Sequence, residues 1–168
     1  MMSVSRLNLP HVPMKTMQRG FTLMEMLAVL AIIAILALMA VPSHLDRLAR
    51  QQIEAALPLA DIAKQPVAAS WVLLRSLPVD NAAVALPVAD KIVNNYVSAL
   101  AIEDGAIQIT FGNQANKAIA GKQLTLRPAV VIDAPIVPVA WVCGNAQVPE
   151  KMTAAGINRT NIANTFLP

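Results

Sequence analysis

The sequence predicts an α+β fold in which one long N-terminal helix, apolar in its first half and amphipathic in its second, packs on a four-stranded antiparallel sheet. Three observations carry that expectation. A 21-residue apolar run over 21–41 passes, after Pro42, into a stretch whose apolar residues recur every three to four positions. From residue 96 onward the apolar period changes to two. Asp104-Gly105, the turn dipeptide of a tight hairpin, separates the first two such runs. Helix and sheet each have one apolar face, so they bury those faces against each other.

The apolar run FTLMEMLAVLAIIAILALMAV holds a single charge, Glu25. As a helix it is about 31 Å long, which matches the roughly 30 Å hydrocarbon core of a bilayer. Its eleven Leu, Ile, Val and Phe residues contribute roughly −3 to −7 kcal/mol toward insertion, more than the roughly 2.5–3.5 kcal/mol that a central acid costs. The run therefore inserts. Arg6, Lys15 and Arg19 precede it without any acid, which favours a cytoplasmic N-terminus. A secretory signal peptide cut near Ala40 shares the basic start, but its apolar part is normally shorter and carries no carboxylate. A plain anchor leaves Glu25 unexplained, because an intramembrane acid by default marks a functional contact.

Beyond Pro42, the residues Leu45, Leu48, Gln52, Ala56, Leu59, Ile62 or Ala63, and Val67 form the expected stripe facing the sheet, with Trp71 as a further core residue. Asp46 and Arg50 have the spacing of a helical acid–base pair. Pro58 and Pro66 are expected to kink or interrupt the helix before about Arg75. Residues 76–95 read as a connecting loop without a period. Strands are expected at 96–103, 106–111, 123–131 and 137–143, with Pro128 and Pro138 marking strand ends or an edge.

Composition narrows the function. The chain has 168 residues, enough for one modest domain plus an appendage, and its 14% charged residues compare with about 25% in average globular chains. Beyond residue 20, 10 bases meet 10 acids, so the net charge of +3 belongs to the leader and implies no nucleic-acid partner. Lys117, Lys122 and Arg127 read as a solvated loop and strand face before they read as a phosphate-binding patch. Two histidines and one cysteine give poor material for a metal or a nucleophilic centre, so no catalytic residue, metal or cofactor is expected. His44 reads as a solvated side chain. Cys143, alone in the chain, reads as a buried small apolar residue before an intermolecular disulfide or a reactive thiol. Asn158-Arg159-Thr160 is a glycosylation triplet of a kind frequent by chance.

Arg19-Gly20-Phe21-Thr22-Leu23-Met24-Glu25-Met26-Leu27, followed by the apolar run and Pro42, resembles the N-terminus of the type IV prepilin family. The resemblance implies a pilin-like fold and a structural rather than enzymatic role. It implies removal of a leader, 1–20, by prepilin peptidase after Gly20, and N-methylation of Phe21. Residues 21–75 would form the helix, with 21–41 as the transmembrane and filament-core part, and 76–168 the globular β domain. Glu25 would set subunit register by pairing with a neighbour's amine, and Pro42 would mark a helix kink. Ala34 stands where many members have Gly, and Ala28, Ala31, Ala34, Ala37 and Ala40 form a small-residue row suited to close helix packing.

The segments GNQANKAIAGKQLTLRPAVV and Trp141-Val142-Cys143 resemble the later strands of major pilins of Gram-negative bacteria, in which such a cysteine pairs with a second one near the C-terminus. Here that second cysteine is missing. The implied partners are further copies of the chain, prepilin peptidase, the inner-membrane assembly machinery, and lipid before assembly. The implied location is the inner membrane first and an extracellular filament later. A minor pilin or type II secretion pseudopilin shares the N-terminus, and an exported enzyme or binding domain behind a signal peptide is the rival from another class.

Overall fold

The computed structural model describes residues 20–167 and, at 40–45, the backbone alone. The leader expected at 1–20 lies outside the described residues except for Gly20. Two compact units divide the chain, one up to Met39 and one from Ala40. Helix α1 is assigned to Leu23–Ala56, and α2 to Asp61–Leu74. Pro42 lies within the span of α1, which does not end there, and the solvated reading of His44 rests on a side chain outside the described ones.

Between the helices, Leu57–Ala60 forms a 3-10 turn. Pro58 causes it, since it has no N–H for the preceding turn and its ring crowds the carbonyl four residues back. Pro66 stays inside α2 without ending it, so of the two expected effects it does not interrupt the helix. It forfeits one hydrogen bond, the one that would go to the carbonyl of Ile62. Arg75 closes α2 in the left-handed conformation (φ 56°), with its N–H on the carbonyl of Trp71 at 3.1 Å.

The sheet is antiparallel in the order β1 (Val97–Glu103), β2 (Ala106–Phe111), β3 (Gln123–Val130), β4 (Ala140–Cys143). Asp104 and Gly105 join β1 to β2 with φ of 47° and 83°, the two left-handed residues of a type I′ hairpin. A fifth strand, β5 (Thr153–Ala154), pairs with Ala129 and Val130 of β3 and was not anticipated, being too short to show a period. Strand β4 is shorter than expected, since Val137 is held in a turn by the carbonyl of Ala134. Pro128 sits within β3 rather than at its end. Pairing with β2 stops at Leu126 and pairing with β5 starts at Ala129, so the proline nitrogen faces the gap between them. Its carbonyl still accepts from Ala155 N–H at 2.9 Å.

The core lies between the helices of the second unit and one sheet face. Ala49, Ile53, Ala56, Ala60, Ala63 and Val67 meet Leu100, Ile102, Ile107, Ile109, Phe111, Leu124 and Leu126. The stripe is therefore displaced by one position from the expected Leu48–Gln52 line, and Leu45 lies outside the described side chains. Leu48 is 48% exposed while Ala49 is fully buried. Four alanines on the buried seam let the helix backbone approach the sheet, so closeness of packing, rather than side-chain size, chose the face. Trp71 is half-buried, with its indole Nε1 buried and unpaired. The expected Asp46–Arg50 pair is absent from the ion pairs of the described residues, where Lys64 meets Asp61 at 2.9 Å and Arg159 meets Glu103 at 2.6 Å. Arg127, read from sequence as solvated, has its Nε buried without a partner.

Residues 76–95 are more ordered in role than their lack of period suggested. The loop covers the free edge of β1 through Asn81, bonded to Leu100 and Ile102, and it also holds the hairpin turn: Asp104 N–H donates to the carbonyl of Val79 and Gly105 N–H to that of Pro78. A bare strand edge invites pairing with other chains, and this loop removes that opportunity.

Candidate processing and assembly site

The helix start organises the site. Thr22 and Glu25 stand three residues apart at the first turn of α1, the spacing of a capping box. Glu25 N–H donates to Thr22 Oγ1 at 3.2 Å, and Thr22 N–H donates back to Glu25 Oε2 at 3.3 Å. The threonine hydroxyl also donates to the same carboxylate oxygen at 3.4 Å. Two N–H groups that the helix itself cannot satisfy are thus paired, and a carboxylate lies at the positive end of the helix dipole. The first intrahelical bond follows, from Met26 N–H to the carbonyl of Thr22 at 3.2 Å.

Immediately before this cap, Gly20 and Phe21 are exposed, and a Cβ built on Gly20 would meet nothing within 4 Å. Gly20, Phe21, Thr22 and Glu25 line an open cleft of about 420 Å³. Among the described residues nothing therefore crowds Gly20, and Glu25 follows Phe21 by four residues. Thr22 had no role assigned from sequence; the T-x-x-E spacing was the available signal.

Every described side chain from Gly20 to Met39 is exposed, with Leu23 and Met24 at 82%. Ala28, Ala31, Ala34 and Ala37 are among them, and Ala40 lies outside the described side chains. A helix apolar all round is stable only when lipid or other helices cover it. Among the described residues no helix is long and apolar enough to cross a membrane, and the apolar run read from sequence continues past Met39 into 40–45.

Cys143 and Asn158 belong to the second unit and are not part of this site. Cys143 ends β4, opposite Leu126, and packs half-buried against the core. Burial pushes its thiol pKa up, partly offset by the charge of Lys64.

Comparison with known proteins matches residues 49–168 to the pilin family of bacterial filament proteins, and residues 15–41 to the prokaryotic N-terminal methylation motif. The chain belongs to the type IV pilin family. This pilin is 36% identical over 162 residues to the type IV major pilin protein PilE1 of Neisseria gonorrhoeae, covering 92% of this chain and 87% of that one. It is 30% identical to a fimbrial protein of Neisseria meningitidis serogroup B, covering 89% and 86%. It is 38% identical over 117 residues to the fimbrial protein EcpC of Eikenella corrodens, covering 68% and 76%. The helix-on-sheet architecture is the pilin fold that the N-terminal motif implied.

Proposed function

We propose that this pilin is made as a precursor, cut by prepilin peptidase after Gly20, methylated at Phe21, and assembled with copies of itself into a type IV pilus. The observation that carries the reading is the joining, in one chain, of a methylation motif over 15–41 to a pilin domain over 49–168. The uncrowded Gly20 and the uncovered apolar helix behind it support the same reading. Before assembly the helix rests in the inner membrane with its N-terminus cytoplasmic; afterwards, neighbouring helices replace lipid around it.

In this account cutting frees an amine at Phe21, close to Glu25. In the filament Glu25 pairs with the amine of a neighbouring subunit. Both groups are then far from water, where an unpaired charge costs several kcal/mol, so only registers that pair them are tolerated. The capping box holds the same carboxylate until a neighbour arrives. The leader at 1–20, the helix at 21–75 and the β domain at 76–168 are the corresponding working parts, and Pro42 would be the place for the helix to bend. Similarity to type IV major pilins supports the role of principal structural subunit, with no chemistry of its own.

The test is the intact mass and first residue of protein sheared from the cell surface. A chain beginning at N-methylated Phe21 is expected. A chain beginning near Val41, or an uncut Met1, overturns the reading.

A further inference from the structure

The C-terminal segment takes an unusual path. It crosses the sheet face opposite the helix, and nearly every step is fastened by a side chain. Gln108 on β2 and Thr125 on β3 are register partners, both buried on that outer face. Thr125 Oγ1 donates to Gln108 Oε1 at 2.6 Å, and Gln108 Nε2 donates to the carbonyl of Ile157 at 3.0 Å. Thr125 Oγ1 in turn accepts from Arg159 N–H at 2.9 Å. The segment then turns onto the edge of β3 where β4 has ended. There Thr160 Oγ1 accepts from Thr125 N–H at 3.0 Å, while Asn161 Oδ1 accepts from Gln123 N–H at 2.6 Å and Asn161 N–H donates to the carbonyl of Gln123 at 3.1 Å.

Asn158 is the crossing point of this arrangement. Its Nδ2 donates to the carbonyl of Gly144 at 3.0 Å and to Asn145 Oδ1 at 2.9 Å, and its Oδ1 accepts from Thr160 N–H at 3.0 Å. Both amide hydrogens are therefore in use, and the side chain has no further donor. Beyond it, Asn164 Oδ1 accepts from Asn145 Nδ2 at 2.9 Å, and Leu167 lies against Gly144. Asn164 and Leu167 then form one wall of a small cleft that reaches Cys143.

We propose that residues 156–167 are a noncovalent clasp, fastened by Asn158 and Thr160 onto Thr125, Gly144 and Asn145, that keeps the outer sheet face and Cys143 covered. The Asn158-Arg159-Thr160 triplet is then the fastener and not a glycan acceptor while the clasp is shut. A sugar on Nδ2 replaces one of its two bonded hydrogens and needs the space that Gly144 and Asn145 fill. Clasp opening has a built-in reporter, because Cys143 is the one cysteine of the chain.

The experiment uses the full chain in detergent with a non-thiol reductant. It follows iodoacetamide labelling of Cys143 together with amide exchange of 156–162 and of the β1–β2 hairpin. Asn158→Ala is expected to speed labelling and clasp exchange by about tenfold while the hairpin amides stay protected, since it removes two bonds to the 144–145 turn. Wild-type labelling and exchange rates in that variant overturn the proposal. If Asn158→Ala also loses hairpin protection, Asn145→Ala decides: from an exposed position it removes two bonds, the one from Asn158 and the one to Asn164, and labelling faster by about threefold or more supports the clasp, while an unchanged rate overturns it. A purified oligosaccharyltransferase with a lipid-linked glycan is expected to modify Asn158 only after urea unfolding. Modification of the folded chain with 156–162 still protected overturns the proposal.

Discussion

Asn81 Oδ1 accepts the N–H of Ile102 at 2.6 Å, while Asn81 Nδ2 donates to the carbonyl of Leu100 at 3.0 Å. One buried side chain from the connecting loop thereby serves a donor and an acceptor on the edge strand β1, as a neighbouring strand would. A second bond from the same Nδ2, to the carbonyl of Pro87 at 2.8 Å, ties the loop to itself. The variable-looking loop and the sheet edge are one structural unit for this reason.

Asn81→Ala leaves the N–H of Ile102 buried and unpaired. Its expected cost is about 1–3 kcal/mol, read as a lower urea midpoint with an unchanged slope. Full wild-type stability would show that water replaces the amide at no cost.

The displaced helix stripe makes a paired prediction. Ile53 is fully buried on α1, and Ile53→Ala is expected to lose about 2–5 kcal/mol through the cavity it leaves. Leu48→Ala, on the exposed side of the same helix, is expected to stay within about 0.5 kcal/mol. Chemical denaturation of the two variants side by side checks the register of α1 on the sheet.

Two glycines with similar backbone angles should respond differently to alanine. Gly156 has φ +78° and a Cβ there would lie 2.5 Å from the Cβ of Ala106, whereas Gly121 has φ +74° and open space around it. Gly121→Ala carries only the left-handed backbone cost, about 1 kcal/mol. Gly156→Ala adds overpacking of about 1–3 kcal/mol, so its melting temperature should fall further. Equal shifts would mean that β5 moves away from the hairpin freely.

The thiol of Cys143 gives a pH dependence. Burial raises its pKa in the folded chain, so the neutral form is favoured there. The group stabilises the fold fully below the unfolded thiol pKa, and this contribution is lost as pH rises through the folded value. Stability should therefore fall with pH on the alkaline side more steeply in wild type than in Cys143→Ser. The labelling rate should rise with a midpoint above that of a free thiol.

Glu25→Gln separates the two duties of the carboxylate. Glutamine keeps the capping-box acceptor, so the helix start should be nearly as stable, yet it removes the charge that a neighbour's amine would meet. The expected result is normal membrane levels and normal cutting after Gly20, with few or no filaments in the sheared fraction. Abundant filaments from this variant would exclude charge pairing as the basis of register.

The apolar run, the hairpin turn at Asp104-Gly105 and the positions of β1 to β3 were legible from residue order. Each is set by interactions within a few neighbours along the chain, or by a periodicity that local burial imposes. The N-terminal motif also led from sequence to the fold, because its fixed offsets are specific to one family. Leu48, Asn81, β5 and the Asn158 fastener were not legible. The outward turn of Leu48 depends on how closely four alanines bring helix and sheet. Asn81, Asn158 and Thr125 find partners 13 to 35 residues away. Such long-range pairings follow only once the sheet exists, since chain closure brings their partners within reach after the core has formed. Sequence alone thus determined what kind of subunit this is, and the tertiary structure decided which helix face is buried, what shields the sheet edge and what fastens the tail.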